Sequence, residues 1–406
     1  MHNTPVTTSS GPIWRAYVTI FLCVSGTALG AVASLNYIVD PYLTHQWNSP
    51  LLQRLRPTRE KLIAWGKTYA VARLKPTVVY VGNSRTELGL PTRMPVFGDK
   101  VVFNSALSGA SVGDAIRLVA HAAHMNRLDT VVWGVDAPSF SLIKGTSELE
   151  PELTDGAPFF FFRRALLNVK RGLTVDMTRD TVRLLRGNFG AVCHSSLVFY
   201  GQRDDACISD RIAGWGGTKD AIAPRLQEFN DGVGPTSAAM SAFDASIGAL
   251  CQARTQVRLY INPTHALTLD ALYWSGKWPA MEAWQRQLTA AAERRRASGC
   301  DVRLYDFSGY NSITSEAIPQ VSLRREMVNY WEASHYRSTV GHLILNRIFG
   351  GPGRQAPDDF GVELANAMLP EHLGQMRAQR DLYHLEHAQE TSFVKATLLA
   401  PRRLDP

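Results

Sequence analysis

The stretch Val78-Val79-Tyr80-Val81-Gly82-Asn83-Ser84-Arg85-Thr86-Glu87 decides the fold class. Four apolar residues, three of them β-branched, stop at a glycine, and a serine follows two positions later. A buried strand hands over to a helix in this way, and an α/β enzyme places a nucleophile at such a turn. The same residues also read as a plain helix start, with Ser84 as the cap and Glu87 three residues on completing a capping box. Far along the chain, Tyr330-Trp331-Glu332-Ala333-Ser334-His335-Tyr336 offers a carboxylate and an imidazole at i and i+3.

Outward from Ser84 the pattern is regular. Strand-like runs fall at 77–81, 100–104, 130–135, 256–261 and 301–307, with helical patterns at 112–124 between the second and third and at 281–296 between the fourth and fifth. Strands alternating with helices predict a mostly parallel sheet of about five strands with helices on both faces and right-handed crossovers. Ligands then bind beyond the carboxyl ends of the strands. Ser84, the segment from Ser105 to Gly109, Asp136 and the segment from Pro263 to His265 all follow strand ends.

Residues 142–240 break the rhythm. They hold Pro158-Phe159-Phe160-Phe161-Phe162, a basic amphipathic helix near 163–186 and a polar, glycine-rich loop at 214–231. This reads as an insertion over the substrate side of the sheet, a lid, with the aromatic run packed into it or the core rather than touching lipid. The chain thus divides into a tail and anchor (1–40), a connector with a helix (41–75), an α/β domain (76–350) carrying that insertion, and a helical tail (351–406) set off by Gly350-Gly351-Pro352-Gly353.

With 406 residues, 45% hydrophobic and 19% charged, the chain can bury a substantial core. The net charge of +7 is scattered, and its densest cluster, Arg294-Arg295-Arg296, suits the C-terminal dipole of a helix better than a nucleic-acid patch. Neither a zinc-ligand spacing nor a P-loop nor a nucleic-acid motif occurs. The reading therefore calls for no cofactor or metal and no nucleic-acid partner.

Residues 16–39 are almost uncharged and long enough to cross a bilayer. Arg15 precedes them and Asp40 follows, which places the short tail in the cytoplasm and the rest outside. A cleaved signal peptide is the rival, because Ala31-Val32-Ala33 resembles a cleavage site, but the apolar run continues through Ile38-Val39, which favours an anchor. Beyond Cys23 in the span, Cys193, Cys207, Cys251 and Cys300 permit two disulfides in three connectivities, or four free thiols. Cys251 and Cys300 each end a helical pattern before a strand. If those strands are neighbours, the two thiols approach, and Cys193 with Cys207 closes a local loop.

Ser84 after Gly82, Asn104 with Gly109 five residues later, and Glu332 with His335 occur in the order used by the SGNH (GDSL-like) hydrolase superfamily, which the chain resembles over roughly residues 75–350. The resemblance implies a three-layer, flavodoxin-like sheet and a catalytic triad of Ser84, His335 and Glu332. It also implies an oxyanion hole built from Ser84, Gly109 and Asn104. Two positions depart from the family pattern. Asn83 replaces the usual Asp before the serine, and Asp136 stands where an Asn donates to the oxyanion, a bond that an ionised carboxylate cannot supply. Arg85 is expected to bind an acidic substrate group, to pair with Asp136, or to form a surface ion pair, and His265 to contact substrate or to sit in a loop.

The apolar run and its flanking charges predict a single-pass inner-membrane protein with its domain in the periplasm, and the resemblance then implies an esterase or O-acyltransferase acting on acylated envelope or secreted polysaccharide. Distant relatives linked to alginate O-acetylation set that precedent. Two further readings stand beside it: a catalytically inactive glycan-binding or assembly scaffold, and a partner of a multi-span membrane acyltransferase.

Overall fold

The computed structural model describes residues 11–46, 49–55, 62–141, 149, 154, 159–187, 194–215, 217–319 and 327–399. They form two compact units, one from residues 1–58 and 159–190 and the other from 59–158 and 191–406.

In the smaller unit a helix at Gly11–Val39 presents apolar side chains outward along its length, with Ile13, Ile20 and Leu22 all exposed. It runs without a break through Ala31–Ala33, and Ile13–Val39 is long and apolar enough to span a membrane. Near its end the Asn36 amide donates to the Gly172 carbonyl (2.8 Å) and to Thr178 Oγ1 (2.9 Å), and the Tyr42 hydroxyl donates to Asp180 Oδ2 (2.8 Å). The expected single basic helix is two, Phe160–Gly172 and Val175–Leu185. The break falls where the Thr174 hydroxyl accepts from the Met177 N–H, capping a new helix rather than continuing the old one. Residues 159–187 thus belong to the same unit as the apolar helix, whereas residues 194–240 of the insertion belong to the larger one.

The larger unit is α/β. Strands β1 (Val78–Val81), β2 (Val102–Asn104), β3 (Thr130–Val135), β4 (Gln256–Ile261), β5 (Val302–Asp306) and β6 (Val362–Glu363) form one sheet in the order β2-β1-β3-β4-β5-β6. All pairs are parallel except β5 with β6. The sixth strand escapes sequence reading because two residues cannot display a period. Burial on both faces explains the near-continuous apolar strands. Val78, Tyr80, Val132 and Tyr260 point into a cluster with Tyr330, Tyr336 and the helix Ser338–Phe349. On the opposite face Trp133 meets Phe243 of the helix Ser237–Gln252 edge-on at 4.8 Å.

β4 and β5 are neighbours, and a disulfide joins Cys251 to Cys300 just before them, with Cα atoms 5.3 Å apart. The pairing of Cys193 and Cys207 lies outside the described residues. Trp278 and Trp284 are buried, while Trp274 is partly exposed beneath the Lys395 ammonium. The C-terminal helices Leu369–Glu386 and Ala388–Leu399 pack back on the domain through His372–Asp306 (2.8 Å), Arg377–Glu282 (2.6 Å) and His384–Asp270 (2.9 Å).

The segment read as a glycine-rich loop at 214–231 is largely the helix Thr218–Gly232. Ile222, Leu226 and Phe229, at i, i+4 and i+7, bury one face, and that spacing outweighs the internal Pro224, which removes a single backbone donor.

Candidate active site

Strand β1 ends at Gly82, whose φ of +149° lies outside what side chains readily adopt, and an added Cβ would stand 2.8 Å from the Gly134 carbonyl. Asn83 then caps the short helix Ser84–Gly89, its Oδ1 accepting from the Arg85 N–H at 3.1 Å. Ser84 is therefore the first helical residue and not the cap, and its hydroxyl is left for other work. Glu87 does not reach back to complete a capping box either. Its carboxylate accepts from Lys67 Nζ (3.0 Å), Ser195 Oγ (2.6 Å) and Ser108 Oγ (2.6 Å), with Arg203 at 4.0 Å. Burial alone would raise this acid, but Lys67, Arg203 and the two hydroxyls outweigh it and hold Glu87 down to about 2.

The second partner arrives on a tight loop. Tyr330 and Tyr336 pair across its base, and the Trp331 N–H donates to the His335 carbonyl at 2.9 Å. Both tyrosines are fully buried: the Tyr330 hydroxyl donates to the Pro263 carbonyl (3.0 Å), and the Tyr336 hydroxyl lies 3.1 Å from that of Tyr260. The Tyr336 ring occupies the space where a Cβ on Gly89 would be, which brings the helix bearing Ser84 against this loop.

The two stretches meet. The Ser84 hydroxyl donates to His335 Nε2 at 2.7 Å, and His335 Nδ1 donates to Glu332 Oε1. Glu332 Oε2 accepts from the Ser334 N–H at 2.6 Å, and Arg225 Nε stands 4.0 Å from Oε1. Burial pushes the Glu332 carboxyl up, but His335, Arg225 and the Ser334 N–H together bring it below the usual carboxylate range. It is thus an ionised orienter for the imidazole, and Nε2 is positioned to take the serine proton.

Asp136 is engaged by side chains of the fold. Its Oδ2 accepts from Asn83 Nδ2 (2.6 Å), Arg85 Nη1 (2.9 Å) and Asn262 Nδ2 (3.4 Å), and its Oδ1 accepts from the Ser139 hydroxyl (2.7 Å). The pairing of Arg85 with Asp136 is the structural outcome, and both side chains are buried. Arg85 Nη2 also donates to Ser334 Oγ at 2.7 Å, tying the helix that carries Ser84 to the histidine loop. Arg85 is thus a positioning residue, and the substrate-contact reading is set aside.

Two further assignments are corrected. Asn104 is fully buried, and its amide donates to the Thr86 (2.9 Å) and Leu90 (3.3 Å) carbonyls, so no donor remains for an oxyanion. His265 is also fully buried: its Nδ1 accepts from the Leu267 N–H (3.2 Å) and its Nε2 donates to the Glu316 carbonyl (2.8 Å). Burial lowers it to about 4, which fits a neutral helix cap and not a substrate contact. Ser84 and Gly109, whose backbone N–H groups are the other expected oxyanion donors, both line the cleft.

That cleft, about 350 Å³, is lined by Ser84, Gly109, Glu332 and His335 together with Arg203, Trp215 and Arg225. Residues from the second half of the insertion thus form its wall, with the Arg225 guanidinium 5.3 Å from the Trp215 ring centre. This agrees with the substrate-side reading of that half of the insertion, although Arg203, Trp215 and Arg225 were not singled out in sequence, because no local pattern links them to Glu332. Lys67 escaped for the same reason.

The geometry defines a class: an α/β protein with serine, histidine and carboxylate in hydrogen-bonded series beside the carboxyl end of β1. No protein-family model matches the sequence and no curated protein matches it, so the site's own geometry carries the functional reading.

Proposed function

We propose that the protein is a serine hydrolase or O-acyltransferase of SGNH type, working through an acyl-serine intermediate at Ser84. The single observation that carries this is the Ser84–His335–Glu332 series, in which two residues 251 apart in sequence meet at 2.7 Å. The strand order 2-1-3-4-5, extended by one antiparallel strand, is the flavodoxin-like order and supports the family resemblance.

In this mechanism Ser84 Oγ attacks the ester carbonyl carbon while His335 Nε2 takes the hydroxyl proton. The developing oxyanion accepts from the Ser84 and Gly109 N–H groups, and Glu332 balances the imidazolium charge. Collapse breaks the ester C–O bond, and His335 returns the proton to the leaving alkoxide. Water or a sugar hydroxyl then gives its proton to His335 and attacks the acyl-serine, which releases an acid or a new ester and regenerates the serine. The charge of Asp136 is balanced by Arg85 and its carboxylate also accepts from Asn83, which supports the catalytic reading over the inactive scaffold.

The apolar helix near the N-terminus supports a membrane anchor. With Arg15 before the span and Asp40 after it, the catalytic unit lies on the periplasmic side of the inner membrane, where acylated polysaccharide is the substrate class at hand. A multi-span acyltransferase is the partner such an enzyme would use when it transfers rather than hydrolyses.

Turnover of acetyl esters, first p-nitrophenyl acetate and then acetylated polysaccharide, tests the reading. Ser84→Ala should lose activity by a factor of about 10³ or more while keeping its unfolding transition. Undiminished turnover by a folded Ser84→Ala protein overturns the nucleophile assignment.

A further inference from the structure

The helix Phe160–Gly172 carries its polarity inside out. Phe162, Leu166, Val169 and Leu173, at i, i+4, i+7 and i+11, form one stripe, and Phe162 is 68% exposed, Leu166 62% and Val169 60%. Phe161 on its shoulder is 73% exposed, whereas Arg164 turns inward and is only 4% exposed, with its guanidinium over the Phe160 ring. A helix facing water places its cations outward and its phenylalanines inward. Soluble surfaces rarely leave so continuous an apolar patch uncovered.

The position of this helix identifies what covers it. Within the same unit, Gly172 is hydrogen-bonded to Asn36, and the space where its Cβ would be lies 3.8 Å from Ala33. Asn36 is one turn from the end of the apolar helix at Val39. A span of 27 residues is about 40 Å long and outruns a hydrocarbon core of about 30 Å, which leaves that end at the level of the lipid headgroups. Leu35 and Ile38 near the end of the neighbouring apolar helix are exposed as well, and Lys170, next to Val169, is exposed too. A large apolar face beside a cationic edge is the make-up of an interfacial helix.

We infer that the helix Phe160–Gly172 is a second membrane contact: it lays Phe161, Phe162, Leu166 and Val169 into the bilayer beside the anchor, with Lys170 toward anionic headgroups. The inference rests on the anchor reading, and it replaces the expectation that the phenylalanine run packs into a core or lid. Only Phe160 of that run is buried, while Phe159, Phe161 and Phe162 are exposed.

The test uses the full chain reconstituted in phosphatidylethanolamine/phosphatidylglycerol vesicles that contain a phospholipid with a diazirine in its acyl chain. After photolysis, adducts are mapped on proteolytic peptides. Lipid adducts are expected both on residues 16–39 and on 159–173. Labelling of 16–39 with none on 159–173, as when a second copy covers the stripe, overturns the inference and leaves the anchor standing. Absence of label from both overturns the anchor reading as well. The surface variant Phe162→Asp/Leu166→Asp should cut labelling of 159–173 at least fivefold with 16–39 unchanged, and undiminished labelling of 159–173 in that variant would contradict a seated stripe.

Discussion

At the scale of single residues the site depends on charges held in place by buried side-chain partners. Glu332 serves by being ionised beside His335. Glu332→Gln keeps the shape of the loop but removes that charge, and should lower kcat by a factor of about 10³–10⁴ with little change in KM. Arg85 neutralises Asp136 and holds Ser334. Arg85→Leu leaves a buried carboxylate uncompensated and should destabilise the protein by about 3–5 kcal/mol in urea unfolding. Adding Asp136→Asn should recover most of that loss, and a neutral single variant would contradict the pairing. Ser84, Glu332 and His335 were legible in sequence because chemistry restricts their type and order. Asn104 was misread, and His265 left open between substrate contact and loop, for a general reason: a polar residue at or after a strand end can turn toward the ligand or bond the backbone behind it, and spacing is the same in both cases. Asp136 and Arg85 were recognised as a possible pair, and only the fold could choose between that pair and a substrate contact.

At the scale of elements, parallel β1 to β5 and the flanking helices announce themselves by continuous apolar runs and helical period. The helix Thr218–Gly232 does not, because Gly217, Pro224 and Gly232 mark it as a loop while the apolar face that makes it a helix is only three residues deep. Two buried polar anchors between elements can be tested. Lys67 and Glu87 join the helix Ala64–Leu74 to the nucleophile's helix. Glu87→Gln should cost about 3–5 kcal/mol by stranding the lysine, and Lys67→Met added to it should restore much of the stability. A double-variant cycle in urea reads the coupling. His265 caps the helix Ala266–Trp274 in its neutral form. Its folded value of about 4 lies below the ordinary 6.5, so the unfolded chain binds the extra proton between those limits. Its contribution is therefore complete above pH 6.5 and is lost as pH falls through 4, up to about 3 kcal/mol. The melting temperature of wild type should fall more steeply from pH 7 to 4 than that of His265→Asn. Parallel curves would refute a buried neutral histidine.

At the scale of the whole molecule, two compact units are threaded by one chain that leaves the α/β unit for residues 159–190 and returns. Sequence reading took residues 142–240 as one insertion on the substrate side, whereas the two units divide that stretch between them. The exposed phenylalanines assign its first half to the unit with the apolar helix, and Trp215 with Arg225 assigns the second to the cleft wall. The disulfide Cys251–Cys300 closes a span of 49 residues, and Cys251→Ser/Cys300→Ser should lower stability by about 4 kcal/mol. Such bonds persist in oxidising compartments, in keeping with an exported domain. Activation of the Ser84 hydroxyl is tested by exposing the folded full-length protein to a fluorophosphonate and mapping the adduct by mass spectrometry. Labelling is predicted at Ser84 and should be abolished in His335→Ala. A folded wild-type protein that stays unlabelled, or a His335→Ala protein labelled as fast as wild type, would contradict it.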